Sequence, residues 1–203
     1  AAACSPFGDR EFVAGSALAA AYHPRSGSLF LADPAAGELL KLSGDGATRA
    51  GVGISLPARP VLRVHAGLLF MNSPDGPAIS VLRPEDHAIG QQLDEVLLLP
   101  PEAVAAEQTR VADFLWVGEN WWVTLYNPDT LDSGLYRFDE QWNYLARAPL
   151  AGGTRPDQLV AWGDRVLVRE DRQATLQRFG PGGAVEKPFV SAPLAEMMQQ
   201  QQQ

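Results

Sequence analysis

One phrase recurs along this chain about every forty residues, and it restricts the fold more than any other feature. Each copy has a short apolar run, a turn, a second apolar run ending in a polar residue, another turn, and a third, alternating run. The first copy covers residues 18–23, 28–33 and 38–43, with Pro24-Arg25-Ser26-Gly27 and Pro34-Ala35-Ala36-Gly37 as its turns. The second covers 61–65, 68–72 and 79–82. The third covers 113–117, 121–127 and 135–139, and the fourth 158–162, 165–170 and 175–179. The third runs begin at Glu38, Ile79, Leu135 and Thr175, so the spacings are 41, 56 and 40 residues.

The runs are short, rich in Val, Leu, Phe, Trp and Tyr, and bounded by Gly, Pro, Asp and Asn, which is the chemistry of strands and turns. Leu40-Lys41-Leu42 and Tyr136-Arg137-Phe138 alternate as strands wetted on one face do. The second runs read as continuous apolar strands, covered on both faces. Residues 49–56, 93–99, 144–150 and 185–190 supply a fourth strand to each copy. Four antiparallel strands per ~40 residues is the pattern of a propeller blade. The expected fold class is therefore all-β, a small or incomplete β-propeller with about four recognisable four-stranded blades.

Residues 17–190 form this domain. Residues 1–16 read as a tether or a ring-closing segment, with 12–21 able to join the last blade. Residues 191–203, with five terminal glutamines, read as a disordered tail. The spacing of 56 marks an insertion at about 96–109. There Pro101 and the Ala/Glu run predict one or two helical turns, serving either as a plain loop or as a contact surface.

The phrase His23-Pro24-Arg25-Ser26-Gly27-Ser28-Leu29-Phe30-Leu31-Ala32-Asp33, with Gly37 and the third run after it, resembles an NHL-type β-propeller repeat and the related gluconolactonase-like propellers. The later copies keep the rhythm without the Ala-Asp pair. In gluconolactonase-like propellers a Glu, Asn and Asp set at the channel mouth holds a divalent cation. The resemblance makes Asp33, Asn72, Asn127 and Glu170, which end the second runs, candidates to hold calcium or another divalent cation through oxygen ligands. The Pro and Asp residues that follow them favour turn capping instead. The family's catalytic-acid motif is not matched, so no catalytic residue is assigned, and no cofactor is expected unless that cation is present.

The chain opens Ala1-Ala2-Ala3-Cys4, and a Cys directly after small residues resembles the end of a bacterial lipoprotein signal. The resemblance implies export and lipidation of Cys4; the alternative is a plain thiol. A single Cys excludes an internal disulfide framework and a Cys-rich zinc site. His23, His65 and His87 lack metal-ligand spacing, and His23 and His65 hold equivalent repeat positions, so they read as structural. Trp116, Trp121, Trp122 and Trp142, in the Trp-rich second half that also holds Trp162, are core residues or interaction residues. Trp121 and Trp122, being adjacent on a strand, face opposite sides.

With 24 acidic against 16 basic residues and a net charge of −8, the chain is not built to grip nucleic acid. It has no Gly-x-Ser-x-Gly elbow, no dinucleotide or phosphate-binding glycine loop, and no apolar run of membrane-spanning length. These features lead to the expectation of a non-enzymatic, exported interaction or scaffold protein. It would be a membrane-associated accessory subunit of an envelope protein complex, periplasmic or on the extracellular face, and lipid-anchored where Cys4 is lipidated. A metal-dependent, gluconolactonase-like hydrolase using the propeller channel is the alternative.

Overall fold

The computed structural model describes residues 18–43, 54–83, 94–98, 108–150, 155–171, 173–190, 196–197 and 199–202, and the backbone of 49–52. Cys4, His87, residues 1–17 and most of the 96–109 insertion lie outside the described residues. Within the C-terminal segment read as a tail, residues 196–197 and 199–200 form a helical turn.

Among the described residues, sixteen strands build four four-stranded antiparallel sheets, and in each the strands lie in sequence order. The first sheet holds β1 (Ala19–His23), β2 (Ser28–Asp33), β3 (Glu38–Leu42) and β4 (Arg49–Val52). The second holds β5 (Leu62–His65), β6 (Leu68–Asn72), β7 (Ala78–Leu82) and β8 (Asp94–Leu97). The third holds β9 (Arg110–Val117), β10 (Asn120–Tyr126), β11 (Ser133–Phe138) and β12 (Tyr144–Pro149). The fourth holds β13 (Pro156–Trp162), β14 (Arg165–Glu170), β15 (Thr175–Phe179) and β16 (Val185–Val190). These are the four blades expected from the repeat.

The chain divides into two compact units, Ala1–Pro74 with Ile79–Val96, and Asp75–Ala78 with Leu97–Gln203. In the first unit, Phe30, Ala32 and Leu39 of blade 1 pack against Leu62, Leu69, Met71 and Leu82 of blade 2. A buried histidine latches the same two blades. His23 Nε2 lies 2.9 Å from the Gly67 carbonyl, so it carries the hydrogen and donates. Nδ1 then accepts, 3.1 Å from the Ser26 N–H and 2.6 Å from the Ser26 hydroxyl. This is the structural role expected for His23.

The Ala66-Gly67 turn that receives His23 has positive φ at both residues, 49° and 77°, as a two-residue hairpin turn requires. A Cβ on Gly67 would stand 2.8 Å from the Arg25 guanidinium, whereas one on Gly27, also at positive φ, would meet nothing within 4 Å. Gly27→Ala is expected to cost the left-handed penalty alone, about 1–2 kcal/mol. Gly67→Ala should cost about the same, because the contact is with the tip of the exposed, flexible Arg25 side chain, which can swing aside. Paired denaturant melts check this, and a Gly67 loss several kcal/mol above that of Gly27 would contradict it.

In the second unit, Val117, Trp122 and Leu135 of blade 3, together with Leu150, pack against Leu159, Val166, Val168 and Phe179 of blade 4. Asp113 ties these blades together. Its Oδ2 accepts the Leu159 N–H at 2.7 Å and its Oδ1 accepts the Phe114 N–H at 2.8 Å. A bulge between β9 and β10 places it there, and the Thr124 hydroxyl satisfies the Asp113 N–H (3.1 Å) and carbonyl (3.3 Å) beside the bulge.

Three strands depart from expectation. β3 and β11, read as wetted on one face, bury adjacent side chains on both, Leu39 with Leu40 and Leu135 with Tyr136. β2, β6 and β10 are covered on both faces, but β14 alternates, with Val166, Val168 and Glu170 buried and Arg169 exposed. The face of blade 3 corresponding to the open one is packed against blade 4, whereas on blade 4 that face stays partly open.

Candidate functional site

The polar residues that end the second strands are engaged close to home. Asp33 Oδ1 accepts the Ala36 N–H across the β2–β3 turn at 3.3 Å. Asn127 Oδ1 accepts the N–H groups of Asp129 (2.9 Å) and Thr130 (3.3 Å), an Asx turn. Asn72 fastens the incoming connection, with Oδ1 accepting the Val61 N–H at 2.8 Å and Nδ2 donating to the Arg59 carbonyl at 3.1 Å. Glu170 Oε2 accepts from the Gln177 amide at 2.8 Å. Turn and loop fastening thus describes three of the four, and a cross-strand bond the fourth. Among the described residues, no group of three or more His, Cys, Asp or Glu is arranged to hold a metal ion.

The tryptophans of blade 3 face inward. Trp121 and Trp122 are 0% and 2% exposed and lie on opposite faces of β10. Trp122 belongs to the core between blades 3 and 4, donates its Nε1–H to the Val117 carbonyl at 3.2 Å, and has the Arg137 guanidinium 5.6 Å above its ring. Trp121 stacks on Trp142 at 4.7 Å and meets the edge of Trp116 at 5.5 Å. Of the four expected interaction residues, two therefore present no surface, and the half-buried Trp116 and Trp142 lean on one of them.

Trp142 is held at φ 64°, a conformation costly for a bulky side chain. The Asp139 carboxylate braces this turn by accepting the N–H groups of Gln141 (3.0 Å) and Asn143 (2.8 Å) and the Asn143 side-chain amide (3.0 Å). The Asn143 backbone bond, then its side-chain bond, holds the Asp139 carboxyl below the ordinary aspartate value of 3.8. A depressed folded value means that the brace is fully present above 3.8 and is lost as pH falls through the lower folded value. The melting difference between the wild type and Asp139→Ala is expected to stay constant from neutral pH down to about pH 4 and to shrink only below it. A difference already shrinking at pH 6 would contradict this assignment.

Blade 4 carries an exposed aromatic surface, which the repeat pattern alone did not single out. Strand register puts two rows on its outer face, Val160–Leu167–Arg178–Glu186 and Gln158–Arg169–Leu176–Phe189, with Trp162 opposite Arg165 at the end. Trp162 is 52% exposed, and Val160 and Phe189 are each 39% exposed. The rings of Trp162 and Phe189 meet at 5.2 Å, with the Arg178 guanidinium 5.1 Å from Phe189 and 6.0 Å from Trp162. Arg165 and Arg178 both pair with Glu186, at 3.1 and 2.8 Å, and Arg169 pairs with Asp157. The face thus interleaves apolar and charged side chains: Arg169 and Arg178 stand beside Leu167 and Leu176 on the two inner strands, while Trp162, Val160 and Phe189 stand on the flanking strands. The signal in the sequence was Trp162 at the end of the first strand of the last repeat, on the same face as Val160.

Solved structures with the same architecture include virginiamycin B lyase from Staphylococcus aureus, at 12% identity and a TM-score of 0.62 over 88% of this chain and 57% of that one. The Cps50 β-propeller domain of Myceliophteria thermophila matches at 10% identity and 0.61, over 88% of this chain and 59% of that domain. The fold is a β-propeller. The periplasmic gluconolactonase of Pseudomonas aeruginosa aligns at 17% identity and 0.55, over 84% of this chain and 52% of that one. The propeller described here thus spans less than two thirds of the length of each of these chains. No protein-family model matches the sequence, and no curated protein matches it.

Proposed function

We propose that this propeller is a non-enzymatic interaction module whose outer face on blade 4 receives a protein partner. The observation that carries this reading is the open apolar patch of Trp162, Val160 and Phe189 on a face whose counterpart in blade 3 is packed against a neighbouring sheet. The bonds of Asp33, Asn72 and Asn127 to nearby backbone add support, because they give the strand-end residues structural work. The similar structures bear the names of enzymes and of a propeller domain alike, so the fold chooses between neither class.

The proposal includes the setting suggested by the start of the sequence. This is an exported accessory subunit of an envelope protein complex, tethered to a bacterial membrane through Cys4, and Ala1-Ala2-Ala3-Cys4 is its support. Kinship with NHL-type repeats also belongs to the proposal and rests on the phrase from His23 to Asp33. The test compares detergent-solubilised wild type with Trp162→Asp. A stoichiometric protein partner recovered with the first and lost from the second is the expected result. Lactone hydrolysis that requires a bound divalent cation and stops on chelation would overturn the non-enzymatic reading.

A further inference from the structure

We infer that the outer face of blade 4 docks against the same face of a second copy of this chain. This rests on the reading of that face as a docking surface. Within each described unit, the preceding blade buries its equivalent face under the next sheet. Phe30 pairs with Lys41, Trp122 with Arg137, and Leu167 with Arg178, so these three side chains hold one repeat position. Phe30 and Trp122 are 1% and 2% exposed, each in a core shared with the following blade. Around Leu167 the face opens to solvent at Val160 and Trp162.

The mode of association is set by the edge. β16 is the outermost strand of its sheet, and its pairing with β15 is irregular between Leu176 and Arg178, opposite Lys187 and Pro188. A proline has no N–H to donate, and an edge lysine opposes strand addition. Continuation of the sheet is therefore disfavoured, and face-to-face packing remains.

Charge points to a copy of the same face. The chain as a whole carries −8, so most of its surface repels another copy. On this face and its edge the charges balance, with Arg165, Arg169 and Arg178 against Asp157, Asp164 and Glu186. Arg165 and Arg169 are 42% and 50% exposed while Glu186 and Asp157 are 23% and 26% exposed, so cations project from both copies toward half-covered carboxylates. A two-fold axis, under which one patch meets itself, uses that mixture without net repulsion. A four-stranded face is roughly 20 by 20 Å, which buries on the order of 1,000 Å² in total between two copies, the lower limit for a specific but weak dimer.

The experiment is sedimentation of the full chain across a concentration range reaching roughly 100 µM, where a weak dimer populates. The wild type should dimerise. Trp162→Asp should remain monomeric over at least a tenfold wider range. Val185→Asp should dimerise as the wild type does, because Val185 is 71% exposed but pairs with the inward-facing Phe179. A wild type that stays monomeric, or a dimer that survives Trp162→Asp, overturns the assignment to a second copy. If a different protein is then captured by the wild type and lost from Trp162→Asp, the docking reading stands without this occupant. If nothing depends on Trp162, both fail.

Discussion

Truncation of Trp122 to alanine is expected to cost about 3–5 kcal/mol, the range for large aromatic side chains removed from a packed core. Three observations lead there: the ring is 2% exposed, it belongs to the core between blades 3 and 4, and its N–H is bonded to the Val117 carbonyl. For a domain of this size that is a fall in melting temperature of roughly 10 °C. Trp122→Phe keeps most of the apolar contact but leaves the Val117 carbonyl without its donor, so about 1–2 kcal/mol should be lost. Trp162→Ala is the contrast. Its ring is half exposed, and its loss from the isolated protein should stay within about 1 kcal/mol. Denaturant melts of the three variants measure this ordering, and a Trp162 loss equal to that of Trp122 would contradict the assignment of core and surface.

The second large effect is expected at Asp113. It is 3% exposed, and its two oxygens accept the N–H groups of Leu159 and Phe114. Asp113→Ala leaves both donors buried and unsatisfied, at about 1–3 kcal/mol each, so a total of about 2–6 kcal/mol is expected. Asp113→Asn keeps one acceptor but turns an amide N–H toward the other donor, so its loss should be intermediate. Because Leu159 lies on blade 4, the local sign of the change is faster hydrogen exchange at the Leu159 amide. Unchanged exchange there would show that this carboxylate does not join the blades.

Much of the fold was legible because the strands obey local rules. The bounds of β2, β6, β14, β15 and β16 match the runs read from residue alternation and turn chemistry. β9 begins at Arg110, three residues before the expected Asp113, because the bulge breaks the two-residue period and a buried aspartate resembles a turn residue. The site was less legible for a related reason. Alternation tells which side chains share a face but not whether another sheet covers that face. Trp121 and Trp122 do point to opposite sides as expected, yet both sides are covered. Trp162 is open because the outer face of its blade is only partly covered, a property of long-range packing.

On the proposed reading, the Trp162 face is covered in the working state of the protein. Covalent labelling of tryptophan, in intact cells and in dilute purified protein, tests it most directly. Trp121 and Trp122 are expected to stay protected in both settings, while Trp162 reacts readily in dilute solution and is protected in cells. Equal labelling of Trp162 in the two settings would contradict it.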